Sequence, residues 1–362
     1  MDFTLNPDFL ALRESVSRFL MIEAAPEKLR EIWQTDAGRS PEMRGMLADQ
    51  GLTALSVPED LGGMGMGDIA WSLITQELGY FSVPESLVDA AYIAVGLLNN
   101  LPEDSELRTT WLKKIADGTG RVAVGHPVNP WVADAHMADL LLLAHPTAGG
   151  TEWHAVLPKD VTVEPQRSMD ASRRLAQVSW TPSKATCVVN AADGQALADE
   201  ALDRAALASA GQLIGLAQRM LDLSVDYVAQ RKQFGKPIGS FQAVKHHLAD
   251  VVTQLEFAKP VMYRAAYAVE HGDPERALRV SHAKLVCSQA AWLAARKGIQ
   301  VHGAMGYTWE VDLQMFMKRA WSLDAAWGTR AFHKARMANA LLSPLANAAS
   351  LGPGASFASL PQ

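Results

Sequence analysis

Apolar residues recur at three- and four-residue steps through the first third of the chain, which is the spacing of a buried stripe along a helix. Phe9, Leu12 and Val16 show this pattern in the first segment. A glycine-rich stretch at 56–68 interrupts it, but its glycines are not spaced as GxGxxG and no apolar strand precedes them. We therefore expect a turn between helices there, within an N-terminal helical domain over 1–120.

The pattern changes after this region to short apolar runs that are separated by glycine, proline and polar clusters. Such runs are typical of short strands rather than of helices. The runs are VAVGHPV, ADLLLLA, EWHAVLP, VTVEP and AQVSW. They predict a small central β domain over 121–193.

Helical periodicity then returns and continues almost to the end of the chain. Leu213 and Val228 fall on one face of a long helix, which is expected to end before the FGKPIGS stretch because glycine and proline interrupt helices. Ser240 is the predicted N-cap of the next helix. Further helices are predicted at 275–297 and at 313–342.

Four long helices with short connections predict an antiparallel bundle over 194–345. The last residues, 346–362, are small and rich in glycine, proline and serine, and they are predicted to be a disordered tail. The order of helices, strands and helix bundle gives a fold class that is mainly α with a small central β domain.

Composition narrows the possible partners and the compartment. The 362 residues carry a formal net charge of −6, which argues against nucleic acid or an anionic membrane surface as the main partner. The two cysteines, Cys187 and Cys287, are too few for a disulfide framework, and a reducing compartment is expected. The first residues do not show a secretory pattern, and no apolar run reaches the length of a bilayer span. We expect a soluble, cytoplasmic protein.

Motifs for metal or nucleophilic chemistry are missing from the sequence. His246 and His247 are adjacent, so they point in different directions from a helix and cannot chelate one ion as an i, i+4 pair would. There is neither a GxSxG nucleophile elbow nor a P-loop. The sequence therefore predicts no metal site.

Two C-terminal stretches resemble the hallmark motifs of acyl-CoA dehydrogenases. They are RKQFGKPIGSFQAVKHHLAD at 231–250 and IQVHGAMGYTWEVDLQMFMKRA at 299–320, and GLTALSVPEDLGGMGM at 51–66 resembles the family's first-domain signature. The resemblance implies an N-terminal helical domain, a middle β domain and a C-terminal four-helix bundle. It also implies FAD, which takes a hydride from the β-carbon of an acyl-CoA thioester while a glutamate removes the α-proton.

The side chains of the two motifs suit the adenosine-diphosphate half of FAD. Arg231 can present a fixed fork to a pyrophosphate, Gln300 offers a donor and an acceptor, and Gly303 permits close backbone approach. Taken alone, Arg231 also suits a surface cation at a helix end, and Gly303 a simple turn. The resemblance implies that these positions reach across an interface to a neighbour's FAD. The predicted cofactor-binding residues are Arg231, Gln233, Phe234, Ile238, Phe241, Gln300, Val301, Gly303 and Ala304.

The catalytic base of the family is absent where the motif would place it. The resemblance implies an aromatic residue followed by Glu-Gly-Thr, but Trp327 stands at the glutamate position, and an indole has no basic lone pair. The other position that the family uses corresponds to about Ala205, which also offers no base. Asp203 and Glu200 lie within a turn of it and remain alternatives, although solvated carboxylates on a helix surface are commoner.

The β domain departs from the family as well. It lacks the Gly-Ser-Asp turn and the Trp-Ile-Thr stretch that the resemblance implies for flavin contact. The loops that would hold the isoalloxazine ring are expected to be shortened or missing. Trp131 is the only aromatic residue in the first part of this domain, and it is expected to pack rather than to stack on a flavin.

The losses are selective, because groups for the chain's own flavin are gone while groups for a neighbour's flavin remain. We therefore predict the non-catalytic subunit of a heteromeric (α2β2) acyl-CoA dehydrogenase, which shares FAD with a catalytic partner subunit. The partner would bind most of the acyl-CoA, such as a steroid side-chain CoA thioester, and an electron-transfer flavoprotein or similar acceptor would take the electrons. The alternatives are a self-sufficient homo-oligomer with Asp203 or Glu200 as a displaced base, and a flavin-free acyl-CoA-binding scaffold.

Overall fold

A computed structural model describes residues 4–347 of the chain. Its N-terminal part is helical, as predicted, and the glycine-rich stretch at 56–68 is a connection between helices. Asn6 and Ser40 cap two of these helices by accepting from the backbone N–H groups of Asp8 and Met43, and the first helical residue is a proline in each case. The helices are α1 (Pro7–Glu23), α2 (Pro26–Gln34), α3 (Pro41–Asp49), α4 (Asp68–Tyr80), α5 (Ala94–Asn99) and α6 (Glu106–Ala116), with a π-helix, Val88–Ile93, directly before α5.

The middle part consists of two small sheets, and all five predicted runs contribute strands to them. The strands are β1 (Val122–Gly125), β2 (Val132–Ala133), β3 (Leu140–Thr147), β4 (Gly150–Val156), β5 (Thr162–Gln166), β6 (Leu175–Ser179) and β7 (Cys187–Val189). The four-stranded sheet has the order β1-β3-β4-β7, and the three-stranded sheet has the order β2-β6-β5. Among the strands in residues 4–347, only β1 and β3 pair in parallel.

Alternate residues of the four-stranded sheet face two different cores, as the two-residue period of a strand requires. Leu141 and Leu143 face a small core between the two sheets, whereas Leu140, Leu142 and Trp153 belong to the main core that the helices share. The β part is therefore packed against the helical parts through one face of one sheet.

The C-terminal part is organised around a single helix of 40 residues, α7 (Ala191–Gln230). Helix α4 lies so close to it that a Cβ on Gly215 would be 1.9 Å from the carbonyl oxygen of Gln76. A hairpin of β8 (Lys232–Gln233) and β9 (Lys236–Pro237) follows, and then α8 (Gln242–Glu270), α9 (Arg276–His302), α10 (Leu313–Ala325) and α11 (Arg330–Asn347).

Two predicted boundaries in this part are wrong. Ser240 is not an N-cap, because Ile238–Ser240 form a 3₁₀ turn in which its hydroxyl donates to the carbonyl of Pro237, and α8 is preceded by Phe241. The single helix predicted at 313–342 is the pair α10 and α11. Trp327 and Gly328 both have positive φ, which no right-handed helix can accommodate.

The predicted disordered tail falls almost entirely outside the described residues, since 348–362 are not among them. The first two residues of that segment, 346 and 347, complete α11.

Candidate functional site

Trp327, at the expected position of the catalytic base, is held in a strained backbone conformation. Its φ of 54° is unusual for a bulky side chain. Its backbone N–H donates to Oδ1 of Asn129 at 2.8 Å, and its carbonyl lies 3.0 Å from Nε2 of His333. The indole is only 4% exposed, and its ring centroid lies 5.7 Å from that of His126. The surrounding structure therefore fixes this residue, as a strained position requires.

Two buried neutral histidines support Trp327. Burial lowers the pKa of His333 and that of His126 to about 4. Nδ1 of His333 lies 3.1 Å from the hydroxyl of Ser281, which can donate to it, so Nε2–H of the neutral ring donates to the Trp327 carbonyl. His126 accepts the Val128 N–H at Nδ1, which leaves Nε2–H to donate to the carbonyl of Ala198.

The cavity beside Trp327 lies where the three parts of the molecule meet. Its volume is about 40 Å³. A space of this size holds a water molecule or so, whereas ligand pockets typically measure about 300–1,000 Å³. No flavin ring or acyl chain fits it. Its walls include Val83 and Asp89 of the N-terminal part, Ala133 of the β part, and Ser209, Gln212, Arg319, Leu323 and Trp327 of the C-terminal part.

Buried ion pairs occupy much of the space around this cavity. Arg39 forms a bidentate pair with Asp134, at 2.8 and 2.6 Å, and also donates to the carbonyl of Ser172. Arg319 donates to the hydroxyl of Ser172 and to the carbonyl of Val83, both at 2.7 Å. Because a buried ion pair is costly to break, these side chains close the cavity firmly.

One carboxylate in this cavity was not identified from the sequence. Burial raises the pKa of Asp89 to about 7, and the positive charge of Arg173 opposes the increase. A carboxylate with such a pKa suits general base catalysis at neutral pH. Asp89 lies in the π-helix, far in sequence from the family motifs, so only the three-dimensional structure reveals its proximity to Trp327.

The two displaced-base candidates are both engaged in ion pairs. The expectation that Asp203 is solvated is wrong, because its side chain is 1% exposed and pairs with Arg336 at 2.6 Å and with Arg276 at 3.3 Å. Arg276 belongs to α9 and Arg336 to α11. Glu200 pairs with Arg204 at 2.7 Å, and Ala205 is fully buried. Neither Asp203 nor Glu200 lines the cavity beside Trp327.

The structure brings the two motif segments to the same end of the helix bundle. Tyr227, in the last turn of α7, stacks on His302, the last residue of α9, with ring centroids 4.1 Å apart. Arg231 follows directly after α7, and Gly303 follows directly after α9. We call the predicted set at this end the motif surface: Arg231, Gln233, Phe234, Ile238, Phe241, Gln300, Val301, Gly303 and Ala304.

Most of the motif surface is accessible. Arg231, Gln233 and Gln300 are exposed, and Phe234 is 91% exposed at the tip of the hairpin, where its φ is 53°. Its ring lies edge-on to Phe241, with centroids 6.2 Å apart. These side chains are free to meet a ligand or a neighbouring subunit.

The remaining members of the motif surface offer mainly backbone. Gly303 has a φ of 64° and a ψ of −142°, and a Cβ built on it would meet no atom within 4 Å. Ala304 is exposed, Ile238 is half-buried, and Val301 is buried with its side chain 8% exposed. The open space at Gly303 permits the close backbone approach that a phosphate needs.

Trp131 is an exposed aromatic residue in the first connection of the β part. The sequence predicts that its side chain packs, but 38% of the residue is exposed. It lies at the end of the short turn between β1 and β2, and β2 is only two residues long.

Comparisons with known proteins agree with this architecture. Residues 6–119 match the family profile described as acyl-CoA dehydrogenase, N-terminal domain, and residues 192–342 match acyl-CoA dehydrogenase, C-terminal domain. The chain is 34% identical over 313 residues to the acyl-CoA dehydrogenase IpdE2 of Mycolicibacterium smegmatis, which covers 85% of this chain and 91% of that protein.

Similar folds occur among solved structures. One is in the ChsE4-ChsE5 complex from Mycobacterium tuberculosis, with a TM-score of 0.83, 23% identity, and coverage of 94% of this chain and 99% of that one. Another is in a variant of the Tcur3481-Tcur3483 steroid ACAD, with a TM-score of 0.84, 20% identity, and coverage of 96% and 100%.

None of the helices in the described part of the chain is long and apolar enough to cross a bilayer. The helical N-terminal part, the small sheets, the bundle around α7 and both family matches lead to one assignment. The chain belongs to the acyl-CoA dehydrogenase family.

Proposed function

We propose that this chain is the non-catalytic subunit of a heteromeric, FAD-dependent acyl-CoA dehydrogenase. The observation that carries the proposal is a contrast within one molecule. The cavity beside Trp327 measures about 40 Å³ and contains no room for substrate, while the motif surface with Arg231 and Gln300 is open. A chain built this way supplies binding groups to a partner's site rather than a site of its own.

The motif surface fits the adenosine-diphosphate half of FAD. The Arg231 guanidinium can pair with a pyrophosphate, Gln300 can donate to and accept from the adenosine, and the backbone at Gly303 is unobstructed. FAD would accept the hydride in the partner's active site, where the partner also supplies the base. This chain's residues bind and orient the cofactor without moving a proton.

The relatives guide the choice of assembly and substrate class. Two similar solved structures are named as pairs, ChsE4-ChsE5 and Tcur3481-Tcur3483, and the second is called a steroid ACAD. We infer by analogy an α2β2 heterotetramer that desaturates a steroid side-chain CoA thioester, bound mainly by the catalytic subunit. An electron-transfer flavoprotein or a similar acceptor would reoxidise the FAD.

Asp89 supports a second candidate, a self-sufficient dehydrogenase with a displaced base. Its pKa of about 7 and its position near Trp327 suit that role. The small cavity opposes it, because an acyl chain would have to displace the paired Arg39 and Arg319. The Asp89→Asn variant separates the two proposals: the heteromer should keep its turnover number, whereas a self-sufficient enzyme should lose activity by about 100-fold or more.

The first test is the visible absorption spectrum of the full-length chain, alone and after co-expression with a candidate catalytic subunit. We expect a colourless lone chain and a yellow complex, with FAD at half the number of subunits. A yellow lone chain with one FAD per subunit would contradict the proposal.

Arg231→Ala tests the motif surface within that complex. The variant should weaken FAD binding by about 10- to 100-fold, since a charge-assisted hydrogen bond typically contributes about 1.5–3 kcal/mol. Lys232→Ala is the matched control, because Lys232 is the adjacent exposed cation. FAD affinity, measured by fluorescence titration of the apo complex, should be unchanged in the control. Equal affinities in both variants would show that Arg231 does not contact the cofactor.

A further inference from the structure

Three metal-ligating side chains lie together on the β part, and they belong neither to the lining of the cavity beside Trp327 nor to the motif surface. Glu152 and His154 project from the same face of β4, and Cys187 begins β7 directly opposite His154. One ligand atom from each of the three lies within 4.8 Å of the other two. These three residues do not form a recognisable sequence motif, because Cys187 is more than thirty residues from Glu152 and His154.

The local backbone explains why these side chains converge. The pairing of β4 with β7 shifts its register between Trp153 and His154, which is the mark of a β-bulge. Bulges re-aim side chains and recur next to functional sites. Trp153 turns into the main core, while the His154 ring packs against Trp180, with ring centroids 4.8 Å apart, and Trp180 packs against the small core between the two sheets.

Each ring nitrogen of His154 faces a polar group that suits a metal-bound imidazole. Nδ1 lies 3.0 Å from the Thr186 hydroxyl, and Nε2 lies 3.3 Å from the Glu152 carboxylate. An imidazole that binds a metal through Nε2 keeps its proton on Nδ1, where the Thr186 oxygen can accept it. Nε2, the carboxylate and the Cys187 sulfur therefore lie close enough together to bind one ion.

We infer that Glu152, His154 and Cys187 form a Zn²⁺ site that fastens β7 to β4. Zinc takes sulfur, nitrogen and oxygen ligands in tetrahedral geometry, and its usual bond lengths place neighbouring N and O ligands about 3.4 Å apart. The observed separation of 3.3 Å matches that edge.

The surroundings also suit the ion. Thr186 orients the imidazole through Nδ1, which is the outer contact that metal-bound histidines usually make. The Glu152 side chain is 33% exposed, which gives the ion a path from solvent and a place for water as the fourth ligand. Zn²⁺ binding releases the thiol proton of Cys187 and requires no redox step.

The test uses the full-length, metal-free chain and two metals. Zn²⁺ affinity is measured by competition with a chromogenic chelator, and Co²⁺ serves as a spectroscopic substitute because a thiolate–cobalt bond gives a charge-transfer band in the near ultraviolet. We expect one ion per chain, a tetrahedral cobalt spectrum, and a rise in the unfolding temperature upon addition of Zn²⁺.

Two variants and one control identify the ligands. Cys187→Ser should abolish the charge-transfer band and weaken Zn²⁺ binding by more than the roughly 10- to 100-fold that loss of an outer contact costs. Glu152→Gln should weaken binding while keeping the band. Cys287→Ser is the control, since the other cysteine lies buried in α9.

Two results would overturn the inference. One is a wild-type chain that binds no Zn²⁺ at micromolar concentrations of the free ion. The other is unchanged Zn²⁺ affinity in Cys187→Ser or in Glu152→Gln. Circular dichroism of each variant shows whether it folds. If Cys187→Ser misfolds, the Zn²⁺ affinity of Glu152→Gln provides the test.

Discussion

At the scale of single residues, Trp327 occupies the position at which the sequence predicts the family's catalytic base. The residue has a left-handed conformation, and its N–H and carbonyl are both engaged, by Asn129 and His333. The indole then packs against His126, in the space beside the cavity. The indole of Trp327 is therefore itself part of what closes the cavity.

Trp327→Glu should consequently not create activity in the lone chain. The new carboxylate would meet a cavity of about 40 Å³ that Arg39 and Arg319 still close, so neither flavin nor acyl-CoA could reach it. We expect no turnover of acyl-CoA and no bound FAD, measured by a dye-reduction assay and by absorption. Measurable turnover would show that the cavity opens readily. Trp131→Glu, at an exposed indole, is the control for the effect of the substitution itself.

His333 should make the fold sensitive to acid. Its pKa is lowered to about 4 in the folded chain but is about 6.5 in the unfolded chain, so between these values only the unfolded chain binds the proton. Stability is therefore lost as the pH falls through this window. Between pH 6.5 and pH 5 this one group should lower the free energy of unfolding by about 1.6 kcal/mol.

The His333→Gln variant tests that contribution. It should be less stable than the wild type at pH 7, because the contact with the Trp327 carbonyl changes, but its stability should fall less steeply toward pH 5. Urea unfolding at several pH values measures both effects. The parallel variant His136→Gln, at an exposed histidine, should retain the wild-type pH dependence.

At the scale of elements, the break between α10 and α11 has a capping group on each side. Nζ of the buried Lys284 donates to the carbonyls of Leu323 and Asp324 at the end of α10, at 2.6 and 3.2 Å. Burial lowers the pKa of Lys284 to about 7, yet cations are favoured at helix C-termini. Arg330 begins α11 and pairs back to Asp324 at 2.9 Å. The chain between the helices is therefore fixed at both ends.

The contact between α4 and α7 depends on glycine. Gly215→Ala should lower the free energy of unfolding by about 1–3 kcal/mol, because its Cβ would overlap the Gln76 carbonyl and the backbones would have to separate. Gly45→Ala is a matched control in α3, where a Cβ meets no atom within 4 Å. The control should be stabilised by about 0.5–1 kcal/mol, since alanine favours helices. Thermal unfolding of both variants tests this prediction. Equal shifts of the unfolding temperature in Gly215→Ala and Gly45→Ala would mean that α4 and α7 can separate freely.

At the scale of the whole molecule, hydrophobic periodicity predicted the fold class, in which helices are followed by short strands and then by helices again, although two helix boundaries were wrong. The main core joins apolar stripes and alternating strand residues that are visible in the sequence. The break at Trp327 was missed because tryptophan carries no intrinsic signal for positive φ, and the tertiary contacts of Asn129 and His333 impose it.

The candidate sites were only partly predictable for a related reason. Motif residues such as Arg231 and Gly303 could be located because they occur in continuous stretches. The burial of Asp203 could not be foreseen, since its partners Arg276 and Arg336 lie 73 and 133 residues away in the sequence. Ion pairs between residues so far apart depend on how the helices pack. The local pattern of a single sequence does not reveal that packing.

The closed cavity has a consequence for how ligand titrations of the proposed heteromer should look. If only one member of each subunit pair can admit acyl-CoA, a tight-binding substrate analogue will saturate at half the subunit count. Such half-of-sites behaviour usually suggests negative cooperativity, in which occupation of one site weakens the next. Here the filled sites would be identical and independent, and the binding curve would stay hyperbolic, because the missing half are blocked by arginine and aspartate side chains within this chain itself.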